Sequence, residues 1–418
     1  MACLLSFNLE LRPGLGMFQK RSINHKISEF MRIKSIVLQV LAVLVLVAMV
    51  AAVAVKNVAF VSFGEGGSAP GVIYRQVELL EGPYRLDLLE ADLTSDVAIV
   101  AWRSGGLQTT TAQVSDARAN GREVLGAINA DFFSFQSTLP IGNQVTDGKW
   151  VLGLNSTRSH VLVDSNGNVY FDRVSFSGTV VRTDGVELSL TGVNRHRDNS
   201  QAMIYNAYYG CDRSRSDSTG VEFVLSPVAG TVFSVGDTLR MVVTEIAPGD
   251  ATLYEAVMVM SVGMNHTDYT GYSHIRMNDT LRVVLGLNDG QYTGITQVIG
   301  GGGRILRNGA DATGENVEQE RIAESFLTNR HPRTFVAMDQ SGTRVWLGTV
   351  DGRQASSVGM NFPEMASFLK DLGAWDAVNL DGGGSTTLVW ADSVANRPSD
   401  QTGERAVANI LMLERRNR

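Results

Sequence analysis

The sequence predicts an α+β fold: a mixed β-sheet with flanking helices, β-rich N-terminal and middle portions, and a single hydrophobic helix near the N-terminus. Three observations carry that expectation. Short runs of β-branched and aromatic residues, punctuated by turn residues, recur from Val72 to about residue 290. Between Thr334 and Leu380 the pattern reads strand, turn, strand, helix, strand. Ile36–Val55 is a run without a charge, interrupted only by Gln39.

Composition bounds the function. At 418 residues, 44% hydrophobic and 19% charged, the chain can bury a large core and could hold two domains. A formal charge of −7, with no basic run in the folded part, argues against a nucleic-acid partner. Cys3 and Cys211 are the only cysteines, so no internal disulfide framework is available. The six histidines show no metal-ligand spacing, and no 20–50-residue repeat suggests a propeller or solenoid.

In chain order, residues 1–35 read as a cytoplasmic tail or an extension before the true start at Met31. Residues 36–55, as a helix, would cross roughly 30 Å of hydrocarbon. Lys20, Arg21, Lys26, Arg32 and Lys34 precede that run and Lys56 alone follows it, which places the later chain outside the cytoplasm. Ala52-Val53-Ala54 also fits a cleavage site, so the segment is either a membrane anchor or a signal peptide, and the folded part is membrane-anchored or secreted. Residues 56–71, rich in glycine and small residues, read as a linker. Residues 72–120 form a β-rich part ending in a short helix over Thr109–Asn120, with Gly121 just past it. From residue 121 to 418 a second region follows, with a β-rich middle portion at about 178–290. Within it, Val161–Phe171 predicts a hairpin around Asn166-Gly167. Arg195-His196-Arg197-Asp198 reads as a solvated loop, and 310–329 as a polar loop with a little helix.

Two stretches suggest chemistry. Val124–Ile128 is a buried strand running into Asn129 and Asp131, followed by Phe132 and Phe133. Ala377–Leu380 and Thr386–Trp390 read as strands on either side of Asp381-Gly382-Gly383-Gly384-Ser385. Three glycines in a row are costly in chain entropy, and what they offer is bare N–H groups for an anion. Arg333 starts one strand of a hairpin and Asp351 follows the other, so both lie at one end. Asn361 and Glu364 give a capping-box spacing for a helix with Met365, Phe368, Leu369 and Leu372 on one face. A strand–helix–strand crossover makes the flanking strands run the same way, which brings Asp381 to the rim of Asp351 and Arg333. Arginine and glycine amides there would grip a phosphate or carboxylate, and carboxylates would stabilise an oxocarbenium-like state, act as nucleophile or activate water.

At these residues the chain resembles the phosphodiester glycosidase family. The resemblance is carried by Gly126–Phe133, Gly300-Gly301-Gly302 with Leu306, His331-Pro332-Arg333-Thr334, Val350-Asp351-Gly352-Arg353, Ser357–Met360, Asn379–Thr387 and Val407-Ala408-Asn409. It implies a mixed α/β domain over residues 121–418 that hydrolyses a sugar-1-phosphodiester at the glycosidic C–O bond. Asp381 is then the leading catalytic carboxylate, with Asp351 second. Ala130-Asp131 replaces the Gly-Gly of some members, so Asp131 is either an additional acid or a tolerated variant. Arg333 would hold the phosphate, its charge shared by the Gly382, Gly383 and Gly384 amides, while Asn129, Asn379 and Ser385 position sugar hydroxyls and Thr334 and Arg353 belong to the same substrate-binding set. The expected partner is a phosphorylated carbohydrate of an envelope or extracellular polysaccharide. No cofactor is identified, and a divalent cation could occupy the Asp-rich rim. The rival readings are a non-catalytic carbohydrate-binding or envelope-assembly protein of the same fold, and a phosphodiesterase cutting P–O.

Overall fold

The computed structural model describes residues 60–80, 82–254 and 257–416, within the compact unit Ala59–Arg418. The apolar run at 36–55 lies outside the described residues. Among those described, no helix is long and apolar enough to cross a membrane.

Strands dominate, in four sheets among the described residues. The expected mixed sheet is corrected here: among the described residues, every pairing between strands is antiparallel except the short one of Gly192–Val193 with Ala202–Tyr205. The first sheet runs Phe60–Ala69, Val72–Leu79, Tyr84–Asp92, Arg344–Val350, Arg333–Asp339, Ala374–Asn379, Arg304–Arg307, Ala310–Asp311. Its edge strand occupies most of the expected linker; Gly71, at φ 79°, makes the turn that lets Phe60–Ala69 pair with Val72–Leu79. Ser393–Val394, Leu388–Trp390, Val124–Asn129, Ile410–Arg415 and Val97–Trp102 form a five-stranded sheet.

These two sheets pack face to face. Leu89, Val336, Leu347 and Val378 from the first meet Ile99, Ile128, Leu388 and Leu411 from the second. The outer face of the first sheet is covered by the helix Phe362–Asp371, whose Met365, Phe368 and Leu369 sit on Phe335, Ala337 and Trp346. That helix starts with the expected capping box, Asn361 and Glu364 each satisfying the other's backbone N–H. The outer face of the second sheet is covered by the helix Thr110–Ala119 through Val114 and Ala117. The layers are therefore helix, sheet, sheet, helix. Burying each large side chain between them contributes about 1.5–3 kcal/mol.

The middle portion forms its own eight-stranded sheet, from Phe176–Val181 to Thr280–Leu287. It packs on a further five-stranded sheet that includes Lys149–Leu152, Ser159–Asp164 and Ile295–Gly300, through Trp150, Leu162 and Val298. The hairpin expected around Asn166-Gly167 is present, with the Asp164 carboxylate accepting from the N–H groups of Asn166 and Asn168.

Candidate active site

Ala374–Asn379 and Leu388–Trp390 belong to different sheets, so the glycine loop between them is a bridge from one layer to the other and not a hairpin turn. Asn129, at the end of a strand in the second sheet, holds the bridge together. Its Oδ1 accepts from the Thr334 hydroxyl at 2.8 Å and from the Thr387 N–H at 3.0 Å, and its Nδ2 donates to the Asp381 carbonyl at 2.7 Å. Asn379 does the same for the second glycine run: its Nδ2 donates to the carbonyls of Gly302 and Leu380. Both asparagines are fully buried. Their expected role on sugar hydroxyls is corrected to one of tying segments together, as is that of Thr334, whose hydroxyl is engaged by Asn129 and which is also buried.

The loop itself is shaped by close approaches. The Gly383 N–H donates to the Pro332 carbonyl at 2.9 Å. A Cβ on Gly382 would meet that same carbonyl oxygen at 2.6 Å, and one on Gly384 would meet the Arg405 guanidinium at 2.2 Å. The run Gly300–Gly302 is glycine for the same reason. A Cβ on Gly300 would strike the Asp131 carboxylate at 2.3 Å and one on Gly302 the Phe132 ring at 2.5 Å.

Around this loop stand two carboxylates and three arginines. Asp381 keeps part of its surface open to solvent, whereas Asp131 is 1% exposed. Asp131 Oδ2 accepts from the Gly142 N–H at 2.7 Å; its Oδ1 is buried without a partner. Burial pushes the Asp131 carboxyl up to about 7, and the neighbouring Asp381 charge pushes the same way. Burial pushes Asp381 up to about 6, against the Ser385 hydroxyl, the Arg405 and Arg158 charges and the Gly382 N–H, which favour its ionised form. Arg158 lies over the Phe132 ring at 5.0 Å, and its carbonyl is 2.8 Å from Nδ1 of His160. Burial holds His160 neutral, pushed down to about 4, while its Nε2 accepts from the Asn143 N–H. Nδ1 therefore carries the hydrogen and donates it to Arg158. Arg405 is half-buried, paired with Asp400 at 2.7 Å and 3.5 Å from the Ser385 hydroxyl. Arg353, exposed and held at φ 61°, reaches over the glycine loop: a Cβ on Gly383 would lie 3.2 Å from its guanidinium.

Two expected partners are elsewhere. Successive residues of a strand leave on opposite faces. Thr334 and Val336 face inward, whereas Arg333, Phe335 and Ala337 face the helix Phe362–Asp371. The Arg333 guanidinium is buried between the Phe326 and Phe362 rings and donates to the carbonyls of Met360, Phe326 and Asn329. Its expected phosphate-holding role is corrected accordingly. Asp351 is also filled by the protein: Oδ1 accepts from Asn396 Nδ2 and the Arg397 N–H, and Arg85 lies 3.8 Å from Oδ2. The predicted convergence of Asp351 and Arg333 with Asp381 gives way to convergence of Asp131, Arg158 and Arg405. Sequence reading missed both of these arginines because each sits in a loop with no periodic pattern. The one usable signal was their proximity in sequence to the motifs. Among the described residues, no three His, Cys, Asp or Glu side chains gather as a metal site.

Residues 228–414 match the phosphodiester glycosidase family. The phosphodiester glycosidase match takes in Arg353, Asp381 and Arg405 and starts after Asn129, Asp131 and Arg158. Over 111 residues the chain is 39% identical to the N-acetylglucosamine-1-phosphodiester alpha-N-acetylglucosaminidase of Bos taurus, covering 25% of this chain and 21% of that protein. Its Homo sapiens counterpart is 39% identical over 99 residues, covering 23% and 19%. The chain thus spans about a fifth of the length of these relatives. Two solved structures share the fold. One is a Synechocystis protein described only as hypothetical, with TM-score 0.65 and 19% identity over 84% of this chain and 64% of that one. The other is a Burkholderia pseudomallei protein described as exported, with TM-score 0.60 and 21% identity over 79% and 74%.

Proposed function

We propose that this chain is an extracytoplasmic hydrolase that cleaves a sugar-1-phosphodiester at the glycosidic C–O bond, acting on an envelope or extracellular polysaccharide. The observation that carries this reading is the pairing of Asp381, a half-buried residue, with two arginines, Arg158 and Arg405, beside the glycine loop. The family match and the relatives' names support the reaction type.

Arg158 and Arg405 hold the phosphodiester, with Arg353 closing over it from the rim. Asp381 stabilises the positive charge that develops on the sugar ring and accepts the proton of the attacking water. The water oxygen bonds to the anomeric carbon while the C–O bond to phosphate breaks, and the bonding electrons remain on the phosphate oxygen. A phosphomonoester leaves without needing a strong acid, because its charge is met by the arginines. Asp131, protonated near neutral pH, spares the phosphate a second negative neighbour.

Hydrolysis in ¹⁸O-labelled water tests the reading. Label in the released sugar is the expected result. Label in the phosphate would make the chain a P–O phosphodiesterase, and binding without release would make it a carbohydrate-binding protein.

A further inference from the structure

A cavity of about 550 Å³ opens in the middle portion, where the eight-stranded sheet meets the edge strand Lys149–Leu152. No carboxylate or arginine of the candidate active site lines it. Its walls are Trp150, Phe233, Leu239, Val257, Met258 and Leu285, all but Phe233 buried core side chains. Most polar groups among these walls are already engaged. The Trp150 indole N–H donates to the Leu285 carbonyl at 3.1 Å. Asn206 Nδ2 donates to the Trp150 carbonyl, and its Oδ1 accepts from Asn194 Nδ2 and the Tyr208 N–H. Three lining groups stay unengaged: the Lys149 ammonium and the hydroxyls of Tyr208 and Ser234 have no hydrogen bond or ion pair among the described residues.

The charges nearby favour an anion. Lys149 is exposed, so its ammonium stands at the mouth. The Arg103 guanidinium donates to the Tyr208 and Thr138 carbonyls, each at 3.4 Å, and pairs with no carboxylate among the described residues. Asp147, whose charge reaches Tyr208, is paired with Arg122. Apolar surface continues outward from the walls. Val232, next in the chain to Phe233, is 74% exposed, and Tyr254, whose carbonyl accepts from the Val257 N–H, is 55% exposed.

We infer that this cavity binds a monocarboxylate with an apolar body, of the fatty-acid kind. The chain lies against Trp150, Leu239 and Leu285, and the carboxylate meets Lys149 and the Tyr208 hydroxyl. The inference is independent of the reaction proposed above. Small-molecule sites of about 300–1,000 Å³ combine apolar walls with a few placed polar groups, as here. Each methylene that leaves water for these walls is stabilised, and the carboxylate gains charge-assisted hydrogen bonds. A saccharide would leave most of its hydroxyls unpaired, because the Trp150 and Asn206 groups are already engaged.

Titration calorimetry of the full chain with octanoate and with octanol tests this. Octanoate should bind, and more tightly than octanol. Ser234→Trp fills the cavity from a half-buried position and should weaken both ligands about tenfold or more. Lys149→Glu, at an exposed position that spares the fold, should weaken octanoate about tenfold and octanol less than twofold. Absence of octanoate binding to the unmodified chain overturns the inference. So do equal losses on both ligands in Lys149→Glu, or octanoate binding that neither substitution changes.

Discussion

Asp381 and Asp351 each follow a strand of the same sheet, with Arg333–Asp339 between those strands, and burial pushes both carboxyls up to about 6. By that measure they are twins. Their surroundings differ: Asp351 is 1% exposed and meets Asn396 and the Arg397 N–H, whereas Asp381 is only half-buried and feels the charges of Arg405 and Arg158. Arg333 and Arg158 form a second such contrast. The first is wrapped by three carbonyls and two rings, and the second lies half-buried over one ring. A displaced proton equilibrium therefore does not distinguish a working carboxylate from a structural one. Unfilled hydrogen-bonding capacity at an accessible surface does.

The comparison can be broken by substitution. Asp381→Asn should lower kcat by about three orders of magnitude with little change in Tm, whereas Asp351→Asn should lower Tm and leave kcat per folded molecule within a few-fold. Steady-state kinetics beside thermal melts separate the two, and equal kinetic damage would erase the distinction. Next in size, Arg158→Ala or Arg405→Ala should reduce kcat/KM about a hundredfold. Arg333→Ala should instead destabilise the fold by about 3 kcal/mol or more, read by denaturant unfolding, since it removes a buried cation from three carbonyls.

Proton linkage sharpens the contrast between Asp381 and Asp131. The reaction needs Asp381 ionised and Asp131 protonated, so kcat/KM should peak between about pH 6 and pH 7. In Asp131→Asn the decline above neutrality should vanish while the acid limb remains. Stability has its own sign. The folded Asp131 pKa is raised, so its contribution is fully present below the ordinary carboxylate value and is lost as pH rises through about 7. Asp131→Asn should flatten the stability profile over that window, as unfolding midpoints against pH would record.

The smallest effect concerns the filling of Asp351. Asn396 Nδ2 joins Asp351 to the Thr386 carbonyl, and its Oδ1 accepts from the Leu388 N–H. Asn396→Ala should cost about 1–3 kcal/mol of stability in unfolding experiments and leave the pH of optimal activity unchanged.

What the sequence revealed was local or directional. The cap at Asn361, the hairpin around Asn166-Gly167 and the same-way course of Arg344–Val350 and Ala374–Asn379 all follow from short-range chemistry and crossover geometry. Arg333 was misplaced because a strand changes face at every residue, and the hairpin argument fixed its end of the strand but not its side. That the glycine loop at 382–384 joins strands of different sheets could not be read locally, since nothing in its own residues says so. Arg158 and Arg405 owe their positions to distant partners: His160 fixes the Arg158 carbonyl, and Asp400 pairs with the Arg405 guanidinium.

The most direct measurement is a crystal structure of the Asp381→Asn protein soaked with a sugar 1-phosphate. The phosphate should lie between Arg158 and Arg405, beside the Gly382–Gly384 loop, with the anomeric carbon facing residue 381. Phosphate seated instead at Arg333 or beside Asp351 would contradict the account.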